Sequence, residues 1–290
     1  MHLDMLAKLR QYGPYTFFIS ASAAEFHLPE IIQIVGKQYG QSFTEEQVNG
    51  MDWQTKRSWL QRNPVTVARH IDYIFEQLWG KVILSGAHPV GQVLNFDIRK
   101  EMQGRGTAHF HSALHVQNAP KLDVDPDESF TSFADKFIKC TLPDDDSEIF
   151  SLVNTRQRHH HTRTCKKNVC VICRFGFPRP PSNKTVIARV PDNSDDKAVA
   201  STILTKVYKA VAGITTDNIP SMEQLLKQVN VSPDQYEWAL KVAHRRTYIV
   251  MKRSPADVNI NNYNPVLLKC LRSNMDIQMI TSIWACIAYI

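Results

Sequence analysis

The chain has 290 residues, more than one hydrophobic core usually contains, so we expect two domains or one domain with an appended module. Hydrophobic residues make up 43% and charged residues 21%, which is typical of a folded globular protein rather than a disordered one. The net charge of +6 is compatible with a polyanionic partner without requiring one. The longest apolar stretch, near 279–290, is too short to span a bilayer, and no signal peptide starts at Met1. We therefore expect an intracellular protein with no membrane partner.

The first 140 residues mix strand and helix patterns. Aromatic and β-branched residues predict a buried strand over 15–22, and a helix is predicted over 28–36. A second helix, starting at Pro64 and ending before Gly80, is predicted over 64–79. Alternating residues on both sides of Gly104-Arg105-Gly106 then predict an antiparallel hairpin of 93–103 and 108–116.

The rest of the chain divides into two further parts. Helical spacing over 130–140 closes the first part, and 144–182 looks like a small inserted module followed by linker-like residues. From about Ala198 onward the pattern is mostly helical. We therefore predict three domains, 1–140, 141–182 and 183–290. The expected fold class is α+β, an antiparallel sheet flanked by helices, with an inserted Cys/His module and a mostly helical C-terminal part.

The second strand of the hairpin carries the most informative residues. Alternation places His109, His111 and His115 on one face, with Phe110, Leu114 and Val116 on the other. If the turn is symmetric about Arg105, Glu101 lies opposite His109, about 5 Å away. Two imidazoles and a carboxylate form an open site that suits Mg²⁺ or Mn²⁺. An isolated His-x-His pair is more often a solvent-facing strand pattern, and a bulge at either glycine would shift the register.

At this point a resemblance becomes specific. The stretch 98–116 (IRKEMQGRGTAHFHSALHV) resembles the HUH endonuclease motif in its Helitron form, where a Glu-hydrophobic-Gln-x-Arg-Gly block precedes His-x-His. The segments 17–30 and 63–65 are also similar to Helitron proteins. The resemblance implies an HUH/Rep nuclease fold with a ferredoxin-like or RRM-like core. It also implies a catalytic metal bound by His109, His111 and Glu101.

The same resemblance implies a tyrosine nucleophile. Residues 274–278 look like the segment that leads into a helix with two tyrosines four residues apart, and Tyr289 matches the first. Helical spacing over 276–290 puts Ile277, Trp284 and Ile287 in an apolar stripe and leaves Tyr289 on another face. Because the sequence stops at Ile290, it holds no second tyrosine, and we expect the last turn to fray. Tyr263 is a rival, interpreted as structural or DNA-contacting.

A second metal site is predicted where histidines and cysteines crowd together in 159–173. Thiolate and imidazole ligands at short spacing suit a structural Zn²⁺. The first choices are His161, Cys165 and Cys173, while Cys140, His159 and Cys170 compete for the fourth place. The resemblance favours Cys140. A reduced, solvent-facing cluster is the alternative.

Cationic side chains surround this module, with phenylalanines between them. Cations for phosphates and rings for bases are what a single-strand groove needs, although a solvated basic face would look similar. The predicted DNA-binding residues are Arg158, Arg163, Lys166, Lys167, Arg174 and Arg179. A further basic cluster comprises 245–246 and 252–253. The sequence does not distinguish a binding role for it from a contribution to solubility.

The resemblance implies an activity as well as a site. We expect nicking and joining of single-stranded DNA by metal-dependent tyrosine transesterification, as in rolling-circle Helitron transposition, in the nucleus, with a helicase region as partner in a full-length protein. This chain shows no Walker A motif, because Gln92 stands where the lysine should be. The alternatives are a non-catalytic single-stranded DNA-binding zinc module and a hydrolytic metallonuclease.

Overall fold

The computed structural model describes residues 2–23, 25–102, 108–162, 165, 173–214 and 218–290. The strands in this part of the chain are β1 (Phe17–Ser22), β2 (Val93–Met102), β3 (Ala108–Val116), β4 (Val186–Ala188), β5 (Tyr248–Val250) and β6 (Met275–Met279). The α-helices are α1 (His2–Tyr12), α2 (Pro29–Gln38), α3 (Glu45–Gly50), α4 (Trp53–Arg62), α5 (Pro64–Leu78), α6 (Asp127–Phe137), α7 (Ser147–Leu152), α8 (Ser194–Ala212), α9 (Met222–Gln228), α10 (Pro233–Leu240), α11 (Pro265–Leu271) and α12 (Ile283–Tyr289). None of these helices is both long and apolar enough to cross a membrane.

The chain forms two compact units. The first unit comprises Met1–Gln117, Asn264–Ile277 and Ile290, and the second comprises Asn118–Tyr263 and Gln278–Tyr289. The first unit therefore takes a segment from late in the sequence, which spacing along the chain does not reveal. The division into three domains at residues 140 and 182 stays a prediction.

The first unit is built on a four-stranded antiparallel sheet with the order β2-β3-β1-β6. β3 pairs with β1 on one side and with β2 on the other, so it is an inner strand. Its residues are buried almost throughout, whereas β2 stays largely exposed. The predicted strand, both helices and the hairpin of this unit are confirmed, with ends shifted by at most two residues.

Helix α5 covers one face of this sheet. Asn63 caps its N-terminus by accepting a hydrogen bond from the Thr66 amide, and Pro64 occupies the first helical position, where no amide hydrogen is needed. The ring of Phe75 stacks on Phe110 of β3 with centroids 3.7 Å apart. Since side chains alternate along a strand, the histidines next to Phe110 face away from α5.

The second unit has its own core. Helices α8, α9 and α10 pack together with the two-stranded sheet of β4 and β5, and Ala200, Leu225 and Ala239 are fully buried among them. The helical pattern predicted beyond Ala198 is confirmed for α8 to α12, but β5 and β6 interrupt it.

Candidate metal sites and nucleophile

The predicted hairpin register is confirmed. Glu101 of β2 lies directly opposite His109 of β3, and Arg99 lies opposite His111. Opposing residues of antiparallel strands project to the same side of the sheet, so all four side chains share the face away from α5. The turn residues 103–107, with the Gln103 of the motif, lie outside the described residues.

On this face, the imidazole of His111 and the carboxylate of Glu101 lie close together. His111 Nε2 lies 3.2 Å from Glu101 Oε2, and the rings of His109 and His111 have centroids 5.5 Å apart. The His111 ring is buried, whereas the Glu101 side chain is 57% exposed. The site therefore has a fixed imidazole on its inner side and a carboxylate at the solvent boundary.

Two serines of β1 hold the histidine rings. Ser20 lies opposite His111, with its Oγ 3.1 Å from Nδ1, and Ser22 lies opposite His109, with its Oγ 2.7 Å from Nε2. A hydroxyl bonded to one ring nitrogen fixes the orientation of the imidazole. The sequence analysis missed both serines. The signal was present, because alternate small polar residues break an otherwise apolar strand.

The donor set suits a hard or borderline divalent ion. Two imidazoles and one carboxylate are ligands that Mg²⁺ and Mn²⁺ accept while keeping positions open for a phosphate. In the described residues these three side chains are not drawn into one compact ligand group, unlike the His/Cys cluster described below. Glu101 can reorient, since it is exposed near the end of its strand.

His115 has a different environment from the other two histidines of β3. Spacing put it on the same polar face, but it is buried beneath tyrosines, with its ring centroid 3.9 Å from that of Tyr15. Burial lowers the pKa of His115 to about 4. Next to it, the Tyr15 hydroxyl donates to Asp97 Oδ2 at 2.5 Å, and Lys8 pairs with the other carboxylate oxygen at 2.7 Å. His115 is therefore part of the core beside a partly buried polar network.

The C-terminal segment differs from the predicted helix over 276–290. Residues 275–279 form strand β6 at the edge of the sheet, and the helix α12 begins only at Ile283. The burial of Met275, Ile277 and Met279 follows a period of two, which is that of a strand. Trp284, expected in the apolar stripe, is 72% exposed. The helical prediction for 276–282 is therefore wrong, since pairing with the sheet overrides the helical spacing.

Tyr289 lies near the end of α12 and is 57% exposed. It belongs to the second unit, whereas the hairpin histidines belong to the first. Its rival Tyr263 is buried, and its hydroxyl donates to the Thr141 carbonyl at 2.8 Å. Burial also raises the pKa of Tyr263, which makes its phenol harder to deprotonate. Tyr263 is therefore a structural residue.

A compact His/Cys cluster lies in the second unit. The ligand atoms of His159, His161, Cys165 and Cys173 all lie within 4.8 Å of one another. Cys165 Sγ is 3.6 Å from His161 Nδ1, and Cys173 Sγ is 3.5 Å from His159 Nε2. Neighbouring ligands of a tetrahedral Zn²⁺ are about 3.5 Å apart, given Zn–S and Zn–N bonds of about 2.3 and 2.0 Å. The cluster can hold a metal ion such as zinc.

Local backbone contacts shape this cluster. The Thr162 amide donates to Cys165 Sγ at 3.1 Å, and the Gly176 amide bonds to the Cys173 carbonyl at 2.8 Å. Both cysteines and Phe177 form a small buried group. The backbone around the cluster therefore fixes the positions of the two cysteines.

The fourth position of the cluster is taken by His159 rather than by Cys140. Cys140 is buried elsewhere in the second unit, and its thiol donates to the Lys252 carbonyl at 3.1 Å. Burial raises the pKa of this thiol, so it stays protonated. Cys170, the remaining competitor, lies outside the described residues.

The structure describes three of the six predicted DNA-binding residues. Arg174 is exposed, with its guanidinium 4.5 Å from the centroid of Phe175, and Arg179 lies 4.9 Å from that of Phe177. Arg158 Nε donates to Asn154 Oδ1 at 2.9 Å. Arg163, Lys166 and Lys167 lie outside the described residues. In the other basic cluster, Arg253 is buried and donates to backbone carbonyls, so it is structural.

The first unit is thus a mixed α/β domain whose inner strand carries two serine-held histidines beside a carboxylate. Residues 1–114 match the family model of the Helitron helicase-like domain at the N-terminus, which supports the Helitron-like N-terminal region that the resemblance predicted. The match includes both histidines and Glu101, whereas the His/Cys cluster and Tyr289 lie beyond it. No curated protein and no solved structure matches the chain.

Proposed function

We propose that the chain nicks and joins single-stranded DNA by metal-dependent transesterification. The observation that carries the proposal is the shared face of β2 and β3 in a Helitron-like region, which presents His109, His111 and Glu101, side chains of the kind that bind divalent metals. The resemblance of the hairpin sequence to the HUH motif supports the same activity. The chain would act as the replication-initiator part of a transposase.

The three ligands would hold Mg²⁺ or Mn²⁺, which would withdraw charge from the scissile phosphate and orient it. Ser20 and Ser22 fix the orientation of the imidazoles through their hydrogen bonds. Glu101, at the solvent boundary, would complete the site by turning toward the imidazoles. The inner side of the site is preorganised because the buried His111 is already aligned.

Tyr289 is the proposed nucleophile. Its phenol oxygen would attack phosphorus and release the phenol proton to water, while the bond from phosphorus to the 3′ oxygen breaks. The products are a 5′-phosphotyrosine and a 3′-hydroxyl that takes its proton from water. Ile290, which follows Tyr289 in the sequence, belongs to the first unit, where its carbonyl accepts a hydrogen bond from Arg99 at 2.7 Å. Arg99 lies opposite His111.

The second unit would supply a structural Zn²⁺ site and contacts to the strand. His159, His161, Cys165 and Cys173 would bind the zinc and hold 159–177 in place without a large core of its own. Arg174 and Phe175, a cation over an exposed ring, would contact phosphate and base. In a full-length protein we propose that a helicase region, acting in the nucleus, supplies the strand.

The test is a covalent adduct assay. The full chain is incubated with labelled single-stranded DNA and Mn²⁺ or Mg²⁺, denatured, and examined for protein that stays bound to DNA. We expect a metal-dependent adduct that His111→Ala and Tyr289→Phe abolish. Tyr73→Phe, which changes another exposed tyrosine, should leave it intact.

Each alternative predicts a different result. A hydrolytic nuclease would cut DNA with Tyr289→Phe as well, and no adduct would form. A non-catalytic binding module would bind single strands after removal of divalent ions and form no adduct with either metal. The cation-aromatic pairs beside the His/Cys cluster favour the binding module as the second candidate.

A further inference from the structure

A helix outside the candidate metal sites carries exposed aromatic rings paired with arginines. Helix α4 holds Lys56, Arg57 and Arg62 and no acidic residue. The carboxylate of Asp52, its N-cap, accepts hydrogen bonds from the amide and the hydroxyl of Thr55. The outward charge of the helix is therefore positive.

At the start of the helix, Trp53 forms the first platform. Its side chain is 57% exposed although Phe26 stacks against it, with centroids 5.6 Å apart and an interplanar angle of 15°. The guanidinium of Arg57, one turn along, lies 5.2 Å from the Trp53 ring centroid.

At the end of the helix, a second platform surrounds Arg62. Its guanidinium lies 4.0 Å from the Trp59 centroid and 5.6 Å from that of Tyr39. The Tyr39 hydroxyl donates to the Arg62 carbonyl at 2.9 Å, which holds this ring in place, and Tyr39 is 48% exposed. The two platforms are nine residues apart, about 13 Å along the helix axis.

The outer face of α4 joins the platforms. The residues at the helical positions between them, Gln54, Ser58 and Gln61, are exposed and polar. A strand crossing this face diagonally would meet a ring and a cation at each end and hydrogen-bonding groups between them. That is the arrangement required by an extended polyanion with flat, stackable groups.

We infer that the outer face of α4 is a binding surface for single-stranded DNA, distinct from the hairpin site. A base would take the place of the Arg57 guanidinium on Trp53, because a cation is held only weakly over an exposed ring. The displaced arginine would then contact the neighbouring phosphate. A duplex fits less well, since its bases are stacked on each other and cannot reach the rings. This inference rests on single-stranded DNA being the substrate proposed above.

The test measures binding to labelled oligothymidine by fluorescence anisotropy, with the full chain and without added divalent ions. Trp53→Ala should raise the Kd about 5- to 150-fold, the loss of one stacked base, and Trp53→Phe should restore most of the affinity. Arg57→Ala should weaken binding and reduce its salt dependence. The matched controls Tyr73→Ala and Arg69→Ala, exposed residues of α5, should bind as the unaltered chain does.

An unchanged Kd for Trp53→Ala would overturn the inference and leave the surface to a protein partner. An equal loss of affinity for duplex DNA would also overturn it, because stacking would then not be the cause. The unaltered chain provides a second measurement through photo-crosslinking to iodouracil-containing strands, which should label peptides with Trp53 or Tyr39. Crosslinks confined to other peptides would contradict it.

The outcomes separate this inference from the proposed activity. If the covalent adduct forms and Trp53→Ala binds normally, only the inference fails. If no adduct forms but Trp53→Ala binds weakly, the transesterification proposal fails and the binding surface stands.

Discussion

Acid should destabilise the first unit through a single buried histidine. Replacing His115 by Phe removes a ring whose pKa burial holds at about 4, against about 6.5 in an unfolded chain. Below pH 6.5 His115 is protonated in the unfolded chain but stays neutral in the folded chain. The free energy of unfolding therefore decreases as the pH falls toward 4. The full loss for a shift of this size is about 3 kcal/mol, of which about 2 kcal/mol falls between pH 7 and pH 5.

Urea unfolding followed by circular dichroism at pH 7 and pH 5 would measure this effect. The drop in unfolding free energy between the two pH values should be about 2 kcal/mol smaller in His115→Phe than in the unaltered chain. His244→Gln, a change at an exposed histidine, is the control and should keep the original drop. Equal drops in His115→Phe and the unaltered chain would refute the reasoning that burial keeps His115 neutral.

Three further predictions concern metals and the core. Cys173→Ser should lower the zinc content, measured by mass spectrometry of the purified chain, whereas Cys140→Ser should not, since His159 fills the fourth position. Ser20→Ala and Ser22→Ala should each weaken Mn²⁺ binding about 10- to 100-fold, measured by calorimetry, because outer partners orient the ligands. Leu114→Ala should cost about 3 to 5 kcal/mol in urea unfolding, since Leu114 is fully buried.

Much of the first unit could be predicted because its signals are local. Alternation and the two glycines around Arg105 gave the hairpin and placed Glu101 opposite His109. Pro64 and the apolar spacing after it gave α5. In each case one short segment contains all the residues that determine its secondary structure.

The rest depends on contacts between distant segments. The sheet takes its fourth strand from 275–279, where strand and helix spacing are both compatible with the sequence. The fourth member of the His/Cys cluster is set by the three-dimensional path of the chain before His161. The spacing of the residues in the sequence therefore could not decide between His159 and Cys140. The serines became visible only once β1 paired with β3.

The three histidines of β3 show why residue type and spacing leave the chemistry undecided. All three alternate along the strand and so lie on one face of it. His109 and His111 form hydrogen bonds with serine hydroxyls, whereas His115 packs against the ring of Tyr15. The neighbouring segment, rather than the strand, therefore decides which imidazole can serve as a ligand. Substitution of His115 should accordingly change the pH dependence of the unfolding free energy, whereas substitution of His111 should change metal binding.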